Sequence, residues 1–501
     1  MKKLTVMLAL LLALCMIVPL AACKKKSDST ETTEPDTTSA EPANSLEPLE
    51  VYDLNNAEFK MLWPEIHADG HFTHNELDSD GTSESIIDRA VYQRTRQVEG
   101  TYNVDIVVEL MFCSTIGKTI RANVQNGEQV YQAVATNVKF LTTCAVEGAL
   151  ADYNDMRFYK EQSWWDNSTM QDYSIGGARY FGMGDIIYSD NFYPYCIFAN
   201  LGFAQTYGIN EDFYDLALDY EWTYEKLLAL TANVSSAGTD EKWDYTATYG
   251  ILLNANTARA LYYGFGKNVI VENEDGDLDW VMTPSYAEPV LTEIQKVFNG
   301  SGYPGYATDD DINHNKPGLT HAQTAIEMFD NNQSLFYAEE LIISERLNNL
   351  QSNMDFAILP MPLADESQEE YYCVLNDAVV LSVPSNEDTD VASLILSAMG
   401  RASVDTVTPA FFENVLTYRY MTNAKSLETL QLILKSAKAL DMASLLNWGG
   451  MMNGFKNIAL TGEGSFSTYF AEHYSEVTND EGSGEMDKFV EQVQFYHSNK
   501  G

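Results

Sequence analysis

Residues 83–110, SESIIDRAVYQRTRQVEGTYNVDIVVEL, read as a helix that stops at Gly100 and is followed at once by a strand. Upstream, EFKMLWP (58–64) alternates well enough for a first strand, so the globular part opens as strand, loop, helix, strand. The same alternation continues along the chain. Thr223 is placed to cap a helix, with Trp222 and Leu227 as a hydrophobic staple across it, and Ser285 with Glu288 fits a capping box for a helix ending at Asn299-Gly300. MDFAILPMP (354–362) and AVVLSVP (378–384) look like buried strands closed by proline, and 389–401 and 426–440 carry helical apolar spacing. Strands alternating with helices predict an α/β protein with mainly parallel sheets, and the length favours two lobes.

The N-terminus sets the expected compartment. Lys2 and Lys3 precede an uncharged apolar run, Leu4 to Leu20, that ends in Leu20-Ala21-Ala22-Cys23. Small residues followed by cysteine suit an export signal whose cysteine thiol takes a diacylglycerol before cleavage; the tetrapeptide resembles the bacterial lipobox. Residues 1–22 are thus expected to be a lipoprotein signal peptide, with Cys23 lipidated. Residues 23–49 are Ser, Thr, Glu and Pro with almost nothing apolar, and so are expected to be a flexible tether. No second run is apolar enough to cross a bilayer.

Composition narrows the function classes. The formal charge of −43 repels a polyanion, so nucleic acid is not an expected partner. Cys113, Cys144, Cys196 and Cys373 are far apart with no CxxC pair, which leaves one disulfide or free thiols open. Phosphate-loop, HExxH, GxSxG and GxGxxG signatures are all missing. A glycosidase pair could be nominated among Asp185, Glu339 and Glu340, but that chemistry depends on a separation the sequence does not contain. HADGHFTH (67–74), with Glu76, groups three of seven histidines; a solvated loop, a metal site and hydrogen bonding to a ligand are all compatible with it.

The stronger signal is aromatic: 30 Tyr, 22 Phe and 7 Trp, many beside Asn, Asp or Gly. DIIYSDNFYPY (185–195), NANTARALYYGFG (254–266), FYAEE (336–340) and LLNWGGMMNG (445–454) are examples. Sugars offer apolar C–H faces and hydroxyls, so their sites pair aromatic rings with amides and carboxylates. Each single aromatic is more often packing, and the adjacent Trp164 and Trp165 are read that way.

Several segments, in order, resemble the extracellular solute-binding protein family 1 of ABC importers. They are SIIDRAVYQRTRQVEGTYNVDI, WWDNSTMQDYSIGGARYFGMGDI, YGINEDFYDLALDYEWTYEKLLAL, FAILPMPLADESQEEYY leading to VPSN, and TPAFFENVL. The resemblance implies a type II periplasmic-binding-protein fold, two α/β lobes around a hinge, closing on a ligand and docking on a permease, without catalysis. Lobe one would hold 50–182 and 340–402 and lobe two 186–336 and 403–500, with crossings near Gly182–Ile186 and Tyr337–Glu340. The resemblance places the ligand site at Trp63, His67, Asn137 and Asn376 on lobe one, Asp185, Tyr337 and Glu339 at the crossings, and Tyr188, Asn254 and Trp448 on lobe two. The family's calcium-loop pattern is not matched by SSAGTDEKWDYTATYG (235–250), which keeps only Asp240, Glu241 and Asp244 as donors. The implied protein is a monomeric, lipid-anchored carbohydrate binder, an oligosaccharide its expected ligand, on the outer face of the cytoplasmic membrane of a Gram-positive cell. It needs no cofactor or metal. A surface glycan-processing enzyme, or a peptide or metal binder on the same scaffold, are the alternatives.

Overall fold

The computed structural model of the chain describes residues 49–66, 75–160, 162–273, 277–299, 305–307, 316–348, 354–376, 378–412 and 424–498. The expected signal, nearly all of the expected tether and residues 67–74, His67 included, lie outside these residues. The opening unit forms as read: a strand Ala57–Pro64, a helix Ile86–Tyr102 and a strand Val104–Met111, the two strands parallel. Ser85 caps the helix, accepting from the Asp88 amide. The helix runs through Gly100 rather than stopping there. Tyr102 is buried and Asn103 takes the left-handed capping position (φ 50°), held by its amide side chain on Asp53 Oδ1 at 2.7 Å.

Two sheets result. The first is ordered Val379–Ser382, Ala133–Asn137, Ala57–Pro64, Val104–Met111; its last three strands are parallel and Val379–Ser382 is antiparallel to its neighbour. The second is ordered Phe356–Pro360, Tyr195–Asn200, Ser334–Glu340, Tyr249–Leu253, Gly305–Ala307. There Tyr195–Asn200 runs antiparallel to both neighbours and the remaining pairs are parallel, so the sheets are mixed. Met61, Leu62 and Trp63 are fully buried, each adding about 1.5–3 kcal/mol over exposure.

Other expectations shift by local causes. Thr223 does cap its helix, accepting from Lys226 N at 3.2 Å. The Ser285–Glu288 box does not form, because the helix begins at Pro284 and Glu288 accepts instead from Ser467, at the start of another helix. Helix Ala424–Lys435 ends before 440: Ala437–Lys438 leaves it to pair in parallel with Cys373–Val374. Helix Thr389–Asp405 covers the expected 389–401. The four cysteines are free thiols, and burial pushes Cys144 and Cys373 up to about 12.

Among the described residues the chain passes between the sheets three times. Gly182 bridges Leu381 of the first sheet, and Pro194 then leads into Tyr195–Asn200 of the second. The return runs from Leu375, bridged to Pro194, to Val379. The last follows helix Thr389–Asp405, where Phe411 packs against Tyr188 and Phe192 of the first passage. No passage occurs near Tyr337–Glu340, where one was expected. Phe356–Pro360 pairs antiparallel with Tyr195–Asn200, so residues 340–376 stay with the second sheet and only the part after them rejoins the first.

A buried arginine ties these passages together. Arg94 donates to the carbonyls of Ile186 (2.9 Å), Glu76 (2.7 Å) and Leu77 (2.8 Å) and to Ser403 Oγ (3.3 Å). Trp164 and Trp165 are likewise buried. Trp164 fills the space over Gly400, where a Cβ would meet its ring at 2.7 Å, and Trp165 packs edge-on to Tyr153 at 5.6 Å.

Candidate functional site

In α/β sheets, groups at the carboxyl ends of parallel strands converge where the chain changes direction. Here Ser334–Glu340 ends in Glu339-Glu340, and Tyr249–Leu253 ends in Asn254, which caps helix Ala255–Gly264. On the first sheet Ala133–Asn137 ends in Asn137, paired with Val379 just after the second passage. The second passage itself carries Asn376.

These ends build one network. Asn254 Nδ2 donates to Glu339 Oε2 at 2.9 Å, while its Oδ1 accepts from Asn256 N at 2.8 Å. The Tyr195 hydroxyl sits 3.1–3.3 Å from Thr257 Oγ1, Asn254 Oδ1 and the Ala338 carbonyl. Asn376 Nδ2 donates to Glu340 Oε1, and Arg259, one turn along the helix that Asn254 starts, donates to Asn376 Oδ1. Glu339, Glu340, Asn254 and Asn376 are all buried. Burial raises the Glu339 carboxyl, opposed by the Glu340 amide, His321, Asn254 and Arg346. The Arg259 Nε is enclosed and has no hydrogen-bond partner among the described residues.

Of the residues expected in the site, Asn254, Glu339 and Asn376 come together in this network, and Asn137 lies beside the passage that carries Asn376. Five others do not join it. Trp63 is fully enclosed in the first sheet's core. Tyr188 and Tyr337 belong to an apolar cluster with Phe192, Phe198 and Phe411, and Trp448 packs edge-on to Phe489 at 5.2 Å. None of these rings offers a stacking face in this conformation, because large rings that end a strand or start a helix fill gaps between layers. Asp185 sits apart, accepting from Thr408 Oγ1 at 2.5 Å beside a cavity of about 210 Å³ that Asp166 and Asp190 also line. Sequence reasoning missed Arg259 and Tyr195 as site members. The NANTARALYYGFG segment contains Arg259 but gives no hint that it faces Asn376.

Glu339 and Glu340 are adjacent on one strand and therefore project to opposite faces. Glu339 turns to Asn254 and Glu340 to Asn376. Such a pair does not flank one bond as a glycosidase pair does. Among the described residues no group of three or more His, Cys, Asp or Glu could hold a metal, and no helix is long and apolar enough to cross a membrane.

No protein-family model and no curated protein matches the sequence. Solved structures do match in fold. The ABC substrate-binding protein Lmo0181 from Listeria monocytogenes, in complex with cycloalternan, superposes with a TM-score of 0.55 at 11% identity, covering 84% of this chain and 97% of its own. The fold is that of the ABC solute-binding proteins. The GacH receptor of Streptomyces glaucescens, solved unliganded and with acarbose, gives 0.53 at 10% identity over 88% and 99% of the two chains. The Thermus thermophilus maltotriose-binding protein gives 0.50 at 12% over 86% and 99%. The two-lobed type II architecture expected from the sequence is thus the architecture of this solute-binding fold.

Proposed function

We propose that this solute-binding fold serves an ABC importer, holding an oligosaccharide between its lobes and delivering it to a membrane permease. The carrying observation is the network at the strand ends. Each of its carboxylates accepts from a side-chain amide, Asn254 on Glu339 and Asn376 on Glu340, so a polyol can exchange into it hydroxyl for amide, and the enclosed Arg259 Nε has no partner among the described residues. The carbohydrate ligands of Lmo0181, the GacH receptor and the maltotriose-binding protein support this class. Leu20-Ala21-Ala22-Cys23 and the polar tether support a lipid anchor at Cys23 on the outer face of a Gram-positive cytoplasmic membrane. The protein acts as a monomer that binds and releases without catalysis.

Ligand that prefers the closed lobes raises the melting temperature and compacts the molecule. A thermal-shift panel of mono- and oligosaccharides, with small-angle scattering on the hits, is expected to show both effects for at least one oligosaccharide. Stabilisation by peptides or a metal and by no sugar sinks the carbohydrate reading. Release of reducing ends from the same glycans sinks the purely binding one.

A further inference from the structure

A pocket with aromatic walls shares no lining residue with the strand-end network, although its Lys438 carbonyl accepts from the Leu375 amide, next to Asn376. It encloses about 210 Å³ between Tyr220, Tyr372, Asp172, Glu370, Lys435 and Lys438. Asp172 closes a short helix, Asn167–Asp172, of the chain before the first passage, and the rest belongs to the second lobe. Tyr220 is its most unusual member. Helix Phe213–Leu218 ends in a double closure: Glu221 N bonds to Leu216 O at 2.9 Å and Tyr220 N to Ala217 O at 3.3 Å. That closure puts Tyr220 at φ 59°, the left-handed position where glycine is the usual residue. A tyrosine there costs backbone energy that glycine does not.

The ring is not repaid by complete burial. It stacks on Tyr371 at 5.1 Å and 24°, yet remains 44% exposed. Tyr371 is anchored beneath it, its hydroxyl donating to Ala217 O at 3.1 Å. Across the pocket, Lys438 stands 4.9 Å over the Tyr372 ring. Lys435 enters no ion pair among the described residues, while Glu370 accepts from the Tyr372 hydroxyl at 3.5 Å, so a donor remains uncommitted at the rim. Rigid aromatic faces with two lysines and two carboxylates, balanced in sign within a strongly acidic protein, suit a neutral polyhydroxylated ring better than an ion.

We infer that the pocket between Tyr220, Tyr372, Asp172 and Lys435 is a second carbohydrate site, stacking one neutral hexose unit on Tyr220 and holding its hydroxyls with Lys435 and the two carboxylates. It stands on its own geometry and does not need the strand-end site to bind the same sugar. Because Asp172 comes from one lobe and Tyr220 from the other, occupancy also bridges the lobes.

The test uses the chain labelled with 3-fluorotyrosine, the Tyr220 resonance being assigned by its loss in Tyr220→Gly. Glucose, maltotriose, mannotriose and cellotriose are titrated to millimolar concentration into wild type and into Asn254→Ala/Asn376→Ala. The Tyr220 resonance is expected to move saturably in both, and Lys435→Ala to weaken that binding roughly tenfold. Tyr220→Gly is expected to abolish the weak site with no fall in melting temperature, since glycine is at home at that φ. A Tyr220 resonance unmoved by every sugar overturns the inference, even where thermal shift shows the strand-end site filling. Movement that vanishes in Asn254→Ala/Asn376→Ala also overturns it, because the shift then reports lobe closure rather than contact.

Discussion

Two groups of carboxylates sit near the passages between the lobes, and they differ in the balance of side-chain and backbone donors that hold them. At the strand ends, Glu339 accepts from Asn254 Nδ2 and from the Glu340 backbone amide, and Glu340 accepts from Asn376 Nδ2, with Arg259 donating to Asn376 behind. At the hinge, Asp190 accepts from the Gly184 amide at 3.0 Å and Asn191 Nδ2 at 2.6 Å, Asp166 from Thr169 N at 3.1 Å, and Glu76 from Ser189 N at 2.9 Å. Backbone donors are fixed by the fold, whereas amide side chains can rotate toward a newcomer. One cluster therefore shapes the hinge and the other can trade partners, which is why the acidic residue first suspected of ligand contact, Asp185, is less informative than Glu339.

The hinge half of this comparison breaks most severely at Arg94. Arg94→Leu strands the carbonyls of Ile186, Glu76 and Leu77 in a dry interior, and the expected loss is about 3–5 kcal/mol of unfolding free energy. Chemical denaturation measures it, and a loss under about 1 kcal/mol would show that the carbonyls find water and that Arg94 is not a structural tie. The strand-end half should respond differently. Glu339→Gln keeps the shape and removes a charge that burial already disfavours, so the free protein should melt at the same temperature or slightly higher. Affinity for the oligosaccharide found by thermal shift should nevertheless drop by about 2 kcal/mol, read by calorimetric titration. Equal loss in melting temperature and affinity would erase the distinction between the two clusters.

How much of this was legible beforehand follows the range of each interaction. The first strand, the Ser85-started helix and the Thr223 cap depend on neighbours within four residues, and the pattern shows them. The Gly100 stop failed because Asn103, anchored on Asp53, outbid it for the left-handed cap. The place of residues 340–376 was misjudged because the pairing of Phe356–Pro360 with Tyr195–Asn200 spans about half of the second lobe and leaves no local mark. Asn254 and Asn376 were visible as strand-end amides. Arg259 was not, since its role exists only once a helix brings it to Asn376. Trp63, Tyr188 and Trp448 mislead for a general reason: a ring beside polar residues reads the same whether it faces a ligand or fills a core.

The finest distinction between the clusters is in pH. Burial lifts the Asp190 carboxyl well above the ordinary aspartate range, and the charges of Asp166, Asp185 and Glu76 push the same way. A folded-state value above the unfolded one means that the folded form holds the proton more tightly. The stability this group contributes is then complete below the unfolded value and is lost as pH rises through the folded one. Above the unfolded value the raised Asp190 carboxyl is a cost carried for the sake of the Gly184 contact, which an asparagine oxygen can also accept. Asp190→Asn is therefore expected to raise the melting temperature at pH 7 by roughly 2 °C, corresponding to about 1 kcal/mol. The gain should shrink steadily on acidification and disappear near about pH 3.5, where wild type is protonated in both states. Melting curves of the two proteins across that range decide it. A gain that persists in acid would mean that the substitution improved packing and that the hinge carboxylates are not under electrostatic load.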